Sequence, residues 1–151
     1  MSLKIYLADL THTGLGVATE GIPLNIGLMA SYAMKQFGTE IDVTLFKFPE
    51  DLEQAINEEP PHILGCSNYC WNENLSYYFV NLVKSQNEKI ITVFGGTNYP
   101  FDAENQKKFL NHFYLLIKPC TEMFQHEYGL KQHVLILLLV KEFHALQLLQ
   151  F

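Results

Sequence analysis

Lys89-Ile-Ile-Thr-Val-Phe-Gly-Gly-Thr-Asn-Tyr-Pro100 is the stretch on which the fold turns. An apolar, β-branched run too short for a helix gives way to two adjacent glycines. That pattern predicts a strand buried on both faces, ending in a loop that backbone must approach closely. In an open parallel sheet ligands bind outside the carboxyl ends of the strands, so Gly95 and Gly96 become candidate contact surface.

Outward from this strand the same alternation recurs toward the amino terminus. Lys4-Ile-Tyr-Leu-Ala-Asp9 is a short apolar run closed by a long Thr- and Gly-rich loop, Thr11 to Gly21, and reads as a first strand. Pro23 suits the first turn of a helix, where a missing N–H costs nothing, and Ile26, Met29, Ala30, Ala33, Met34 and Phe37 recur at helical spacing up to a stop at Gly38. Ile41 to Phe48 alternates apolar and polar residues, the mark of a half-exposed strand nearer a sheet edge than the Ile90 strand. Pro49 opens a short helix whose early Glu50, Asp51 and Glu53 complement the positive end of its dipole, and Pro60-Pro61 closes it. His62 to Ser67 is a third strand. Asn72 is placed to cap a helix with Leu75, Phe79, Leu82 and Val83 on one face. Strands and helices alternating at this spacing require right-handed crossovers, which predicts a Rossmann-like, flavodoxin-type doubly wound α/β domain with four to five parallel strands. Phe113 to Lys118 is the candidate fifth strand. Leu130 to Phe151 forms an irregular helical C-terminal tail whose apolar residues surround the axis instead of forming one stripe.

Composition narrows the function classes. With 151 residues, 48% of them hydrophobic, the chain can bury a core without covalent staples. A net charge of −6 lacks the clustered Lys and Arg that tracking phosphates demands, so nucleic acid is not an expected partner. Three cysteines, Cys66, Cys70 and Cys120, and an amino terminus without a basic segment leading into an apolar core point to a cytoplasmic protein with reduced thiols. The most apolar window, His133 to Val140, falls well short of the roughly 20 residues a bilayer requires, and no membrane partner is expected.

Four loops converge on the carboxyl edge of such a sheet: Asp9 to Gly21, Phe48-Pro49, Ser67 to Asn72 and Gly95 to Pro100. Their inventory suits a flat ligand. The glycines permit close approach, Ser67 and Asn68 supply hydrogen bonds, and Tyr69, Trp71 and Tyr99 supply rigid apolar area.

Pro23-Leu-Asn-Ile-Gly-Leu-Met-Ala-Ser-Tyr32, Ser67-Asn-Tyr-Cys-Trp-Asn72 and Phe94-Gly-Gly-Thr-Asn-Tyr-Pro100, in this order and spacing, resemble the amino-terminal cobalamin-binding domain of cobalamin-dependent radical S-adenosylmethionine enzymes. The resemblance covers roughly residues 3 to 112. It implies a corrinoid cofactor, with Ser67 and the Gly95-Gly96 pair lining the slot that takes the nucleotide tail and the corrin resting on the strand ends. The surrounding positions Thr11, His12, Thr13, Gly14, Asn68, Tyr69, Trp71, Thr97 and Asn98 join them as candidate cofactor-binding residues. Many cobalamin domains ligate cobalt through an Asp-x-His-x-x-Gly loop in which the carboxylate orients the imidazole. Here the run is Asp9-Leu-Thr-His12-Thr-Gly14, one residue out of register on each side. His12 is thus a candidate metal ligand beside its plainer reading as a loop histidine, and Asp9 beside its plainer reading as a loop cap.

Two other functions fit parts of the same chain. Thr11-His-Thr-Gly14 resembles a flavodoxin phosphate loop, which would make the protein an FMN-binding electron carrier, although the helix that should follow at once starts only near Pro23. A ligand-free interaction module docking through its C-terminal helix is the other. A radical-enzyme cluster needs Cys-x-x-x-Cys-x-x-Cys; Cys66 and Cys70 have the first spacing, but Glu73 replaces the third thiolate, so this chain is not expected to catalyse alone. Cys66 reads as plain core and Cys70 as a loop residue near the ligand. The expected organisation is a cobalamin-binding-like unit over residues 1–112 and a divergent or truncated continuation over 113–151. It would act as a detached or truncated part of a radical S-adenosylmethionine methyltransferase-like architecture. Its partners would be a separate catalytic domain of that kind or a second copy through the apolar tail. A divergent end, a truncation and a frameshifted reading are all consistent with the tail.

Overall fold

The computed structural model describes residues 2–11, 22–96, 98, 102, 104 and 105. Four strands, β1 (Leu3–Ala8), β2 (Ile41–Phe46), β3 (Ile63–Ser67) and β4 (Ile91–Gly95), alternate with three helices, α1 (Leu24–Phe37), α2 (Pro49–Glu58) and α3 (Glu73–Gln86). All strand pairs are parallel, in the order β2-β1-β3-β4. The strand order reverses between β1 and β3, so the loops after these two strands flank the crevice where doubly wound sheets take ligands. The expected flavodoxin-type fold is what the chain adopts. The candidate fifth strand and the C-terminal helix lie outside the described residues.

Period-two alternation assigns the strand residues to two cores. Leu3, Ile5, Leu7, Ile63 and Ile91 face Ile26 and Ala30 of α1. Tyr6, Ala8, Leu64 and Cys66 face the other side, where Leu52 and Ile56 of α2 and Phe79, Val80 and Val83 of α3 pack on them. The three α1 residues that are buried, Ile26, Ala30 and Ala33, are spaced four and three apart, which puts them on one helical face. The helix ends at Gly38, whose N–H donates to the Met34 carbonyl. Burial raises the Cys66 thiol pKa to about 12, as expected of a core cysteine.

Two expectations are corrected. β2 does lie at one side of the sheet, with Asp42, Thr44 and Leu45 exposed. β4 lies at the opposite end of the described sheet; Ile91 and Thr92 are buried on its two faces as expected, but Val93, Phe94 and Gly95 toward its carboxyl end are only half-buried. Asn72 occupies the position before α3, but its side chain makes no capping hydrogen bond to that helix. It is committed instead to the Tyr69 N–H and the Leu10 carbonyl. Among the described residues no helix is long and apolar enough to cross a membrane.

Candidate functional site: the carboxyl edge of the sheet

The edge is built by extending strand pairing past the strands. The Asp9 N–H donates to the Phe46 carbonyl and the Thr11 N–H to the Lys47 carbonyl, both at 3.0 Å, which anchors the start of the first loop against β2. On its other side the same loop meets β3. Ser67, 2% exposed, donates from Oγ to Asp9 Oδ1 at 2.5 Å. Asp9 is therefore not a self-contained loop cap: its carboxylate is tied across the switch point to the end of the neighbouring strand. A hydrogen bond to a carboxylate is among the stronger kinds, and it fixes where the Asp9 oxygens point.

The loop after β3 is held by Asn72, which is fully buried. Its Oδ1 accepts from the Tyr69 N–H at 2.8 Å and its Nδ2 donates to the Leu10 carbonyl at 3.2 Å. One amide thereby closes its own loop and clamps that loop to the one after β1. Ser76, one turn into α3, places Oγ 3.1 Å from the carbonyl oxygens of both Ser67 and Asn72. Tyr69 and Trp71 stack at 4.5 Å between ring centroids and 7° between planes. Asn25, in the first turn of α1, donates to the Tyr69 hydroxyl at 2.9 Å and ties this pair to the opposite face of the sheet. Trp71 is 60% exposed and Cys70 is exposed beside it.

β4 joins the edge through Asn68. The Asn68 N–H donates to the Gly95 carbonyl at 2.5 Å, and its carbonyl accepts from the Asn98 N–H at 3.3 Å. Gly96 has φ +125°, and a Cβ built on it would lie 2.6 Å from the Asn68 carbonyl oxygen. This revises the expectation that both glycines leave room for a ligand: the missing side chain of Gly96 makes room for the Asn68 backbone. Gly95 differs. It pairs in register with Ser67, so the two share one face of the sheet, the face on which α1 lies.

The Asn68 side chain has a fixed orientation. Burial, followed by the hydrogen bond to Glu73, pushes the Tyr77 hydroxyl well above the ordinary tyrosine range, so it keeps its proton. That proton goes to Glu73 Oε1 at 3.1 Å, which leaves the Tyr77 oxygen to accept from the Asn68 amide nitrogen. Asn68 Oδ1 is the atom left over. It is buried and has no hydrogen-bond partner among the described residues.

Of the residues nominated from sequence, Thr11, Ser67, Asn68, Tyr69, Trp71, Gly95, Gly96 and Asn98 all stand on this edge. His12, Thr13, Gly14, Thr97 and the aromatic Tyr99 lie outside the described residues. Sequence reasoning missed Asn25, Ser76, Tyr77 and Glu73, which hold the loops. Their one local signal is the pair Asn72 and Ser76, four apart at the head of a helix.

No curated protein matches this chain. Residues 13–126 match the model of the B12 binding domain. The switch-point crevice, the Ser67–Asp9 pair and the glycine directly across from it are thus features of a chain that belongs to the B12-binding domain family, and its cofactor is cobalamin.

Proposed function

We propose that this chain holds a corrinoid on the carboxyl edge of its sheet as a detached part of a radical S-adenosylmethionine methyltransferase-like architecture. The catalytic domain would be supplied by a separate protein. The observation that carries the reading is the side-chain-free position at Gly95, in register with Ser67, whose hydroxyl is already committed to Asp9. The nucleotide tail would lie over this pair on the α1 face, where a glycine sets no side chain in its way. The donor set fits the group: Thr11 and Asn98 offer polar contacts at the rim, and Tyr69 with Trp71 offers flat apolar area to a ring.

The bound cofactor supplies the methyl-transfer chemistry. What this chain supplies is placement. Asn72 and Asn25 lock the loop carrying the aromatic pair, so the surface is preformed and little ordering entropy is lost on binding. His12 is proposed as a loop residue, because the Asp9 carboxylate that would orient it is held by Ser67 and the register departs from the ligating motif. The α/β unit over residues 1–112 and a divergent continuation over 113–151 remain the proposed organisation, with the family match running into the latter as far as 126. A cytoplasmic setting and either a catalytic partner or self-association through the tail complete the proposal.

The experiment mixes the purified 151-residue chain with hydroxocobalamin or FMN, desalts, and records absorbance. Retained corrin bands are expected. A retained flavin spectrum would instead support the electron-carrier reading, and a colourless eluate the ligand-free module.

A further inference from the structure

We infer that Asn68 is a specificity residue for the corrinoid: its buried, unpartnered carboxamide oxygen takes an N–H from one of the primary amide arms on the corrin rim, and so favours amide-armed over carboxylate-armed corrinoids. This rests on the cobalamin reading above and extends it to the chemical form of the ring.

The inference starts from an imbalance. Asn68 is 3% exposed, and a buried acceptor without a donor costs on the order of 1–3 kcal/mol, so native proteins rarely leave one. Both main-chain polar atoms of this residue are satisfied, and its amide nitrogen faces Tyr77. Its N–H goes to Gly95, its carbonyl takes the Asn98 N–H, and its Nδ2 goes to Tyr77. The amide cannot simply turn over to relieve the oxygen. Tyr77 gives its one proton to Glu73, so the atom facing Tyr77 must be a donor. The contact with Tyr77 therefore leaves Oδ1, an acceptor, as the unpaired buried atom.

The position matters as much as the chemistry. Asn68 is the first residue past β3, bridged by its main chain to both Gly95 and Asn98, on the edge proposed to carry the ring. A corrin is rimmed with carboxamide arms, each an amide with two N–H donors. A corrinoid whose arms are carboxylates has only acceptors to offer, and two acceptors facing each other in a buried setting repel. Selectivity of this kind comes from rejecting the analogue that leaves a buried polar group unpaired.

The test uses dicyanocobinamide and dicyanocobyrinic acid, which share a corrin and lack the nucleotide but carry amide and carboxylate arms respectively. Affinities of the full chain for both are measured by absorbance titration. Asn68→Leu should weaken cobinamide binding roughly ten-fold and, by removing the repelling acceptor, strengthen cobyrinic acid binding, so the preference ratio falls by at least roughly ten-fold. Tyr77→Phe keeps Asn68 but releases its amide to rotate, and should lower the ratio in the same direction even if Asn68→Leu fails to fold. An unchanged ratio in a folded Asn68→Leu or Tyr77→Phe chain overturns the inference while leaving cobalamin binding intact. Wild-type chain that retains neither cobalamin nor cobinamide overturns both readings together.

Discussion

Ser67 and Asp9 are separated by 58 positions and meet only because β1 and β3 are neighbours in the sheet. Spacing in the chain carries no trace of that contact. What sequence does carry is residue type, a serine at the end of one apolar run and an aspartate at the end of another, which is enough to nominate Ser67 but not to pair it with Asp9. Ser67→Ala strips the half-buried carboxylate of its donor and is expected to cost on the order of 1–3 kcal/mol by urea unfolding. Asp9→Ala combined with Ser67→Ala should cost less than the two singles added, because either change alone already removes the bond. Full additivity would mean that the pair is not coupled. At Cys66 the sign is set by burial. The thiol ionises near 9.0 when unfolded but only near 12 when folded. Stability is thus unaffected below pH 9 and falls between 9 and 12 by on the order of 1 kcal/mol per pH unit, as the unfolded chain alone loses the proton. Cys66→Ala should flatten that decline between pH 9 and 10.5. An equally steep decline in the variant would assign the effect to other groups.

At the level of elements, strand and helix boundaries were legible because the apolar periods of two and 3.6 are strong in this chain. β1 starts at Leu3, one residue before the expected strand, and α1 starts at Leu24, one after Pro23. The misreadings came from positions where a tertiary partner outbids a local one. Asn72 has the residue type of a helix cap, yet its amide is drawn to Tyr69 and Leu10. A cap would accept Asp in place of Asn without loss. Asn72→Asp keeps the acceptor for Tyr69 but loses the donor to Leu10, so it should destabilise the domain by about 1 kcal/mol, with Asn72→Ala costing more. Equal stability of the Asp variant and wild type in thermal unfolding would restore the capping role. The apolar β4 run shows that the strand is buried but not how far that burial extends, and its carboxyl end is only half-buried.

Over the whole molecule, two packed faces and a parallel order reversing between β1 and β3 bring loops distant in sequence to one edge, and that convergence makes a binding surface from residues of little individual meaning. The fold and the position of the edge could be read from pattern. The role of Gly96 could not, since its missing side chain makes room for the backbone of Asn68, a partner distant in the chain. Gly96→Ala should lower the unfolding temperature markedly, because its Cβ would meet a backbone carbonyl in a conformation that favours glycine. His12→Ala should leave the absorption spectrum of bound cobalamin unchanged; a shifted spectrum would make the imidazole a cobalt ligand. The most direct measurement is cobalamin retention by Gly95→Leu. A folded variant, with an unfolding temperature near that of wild type, should lose the corrin bands on desalting. Retention equal to wild type would contradict a tail slot over Gly95 and Ser67.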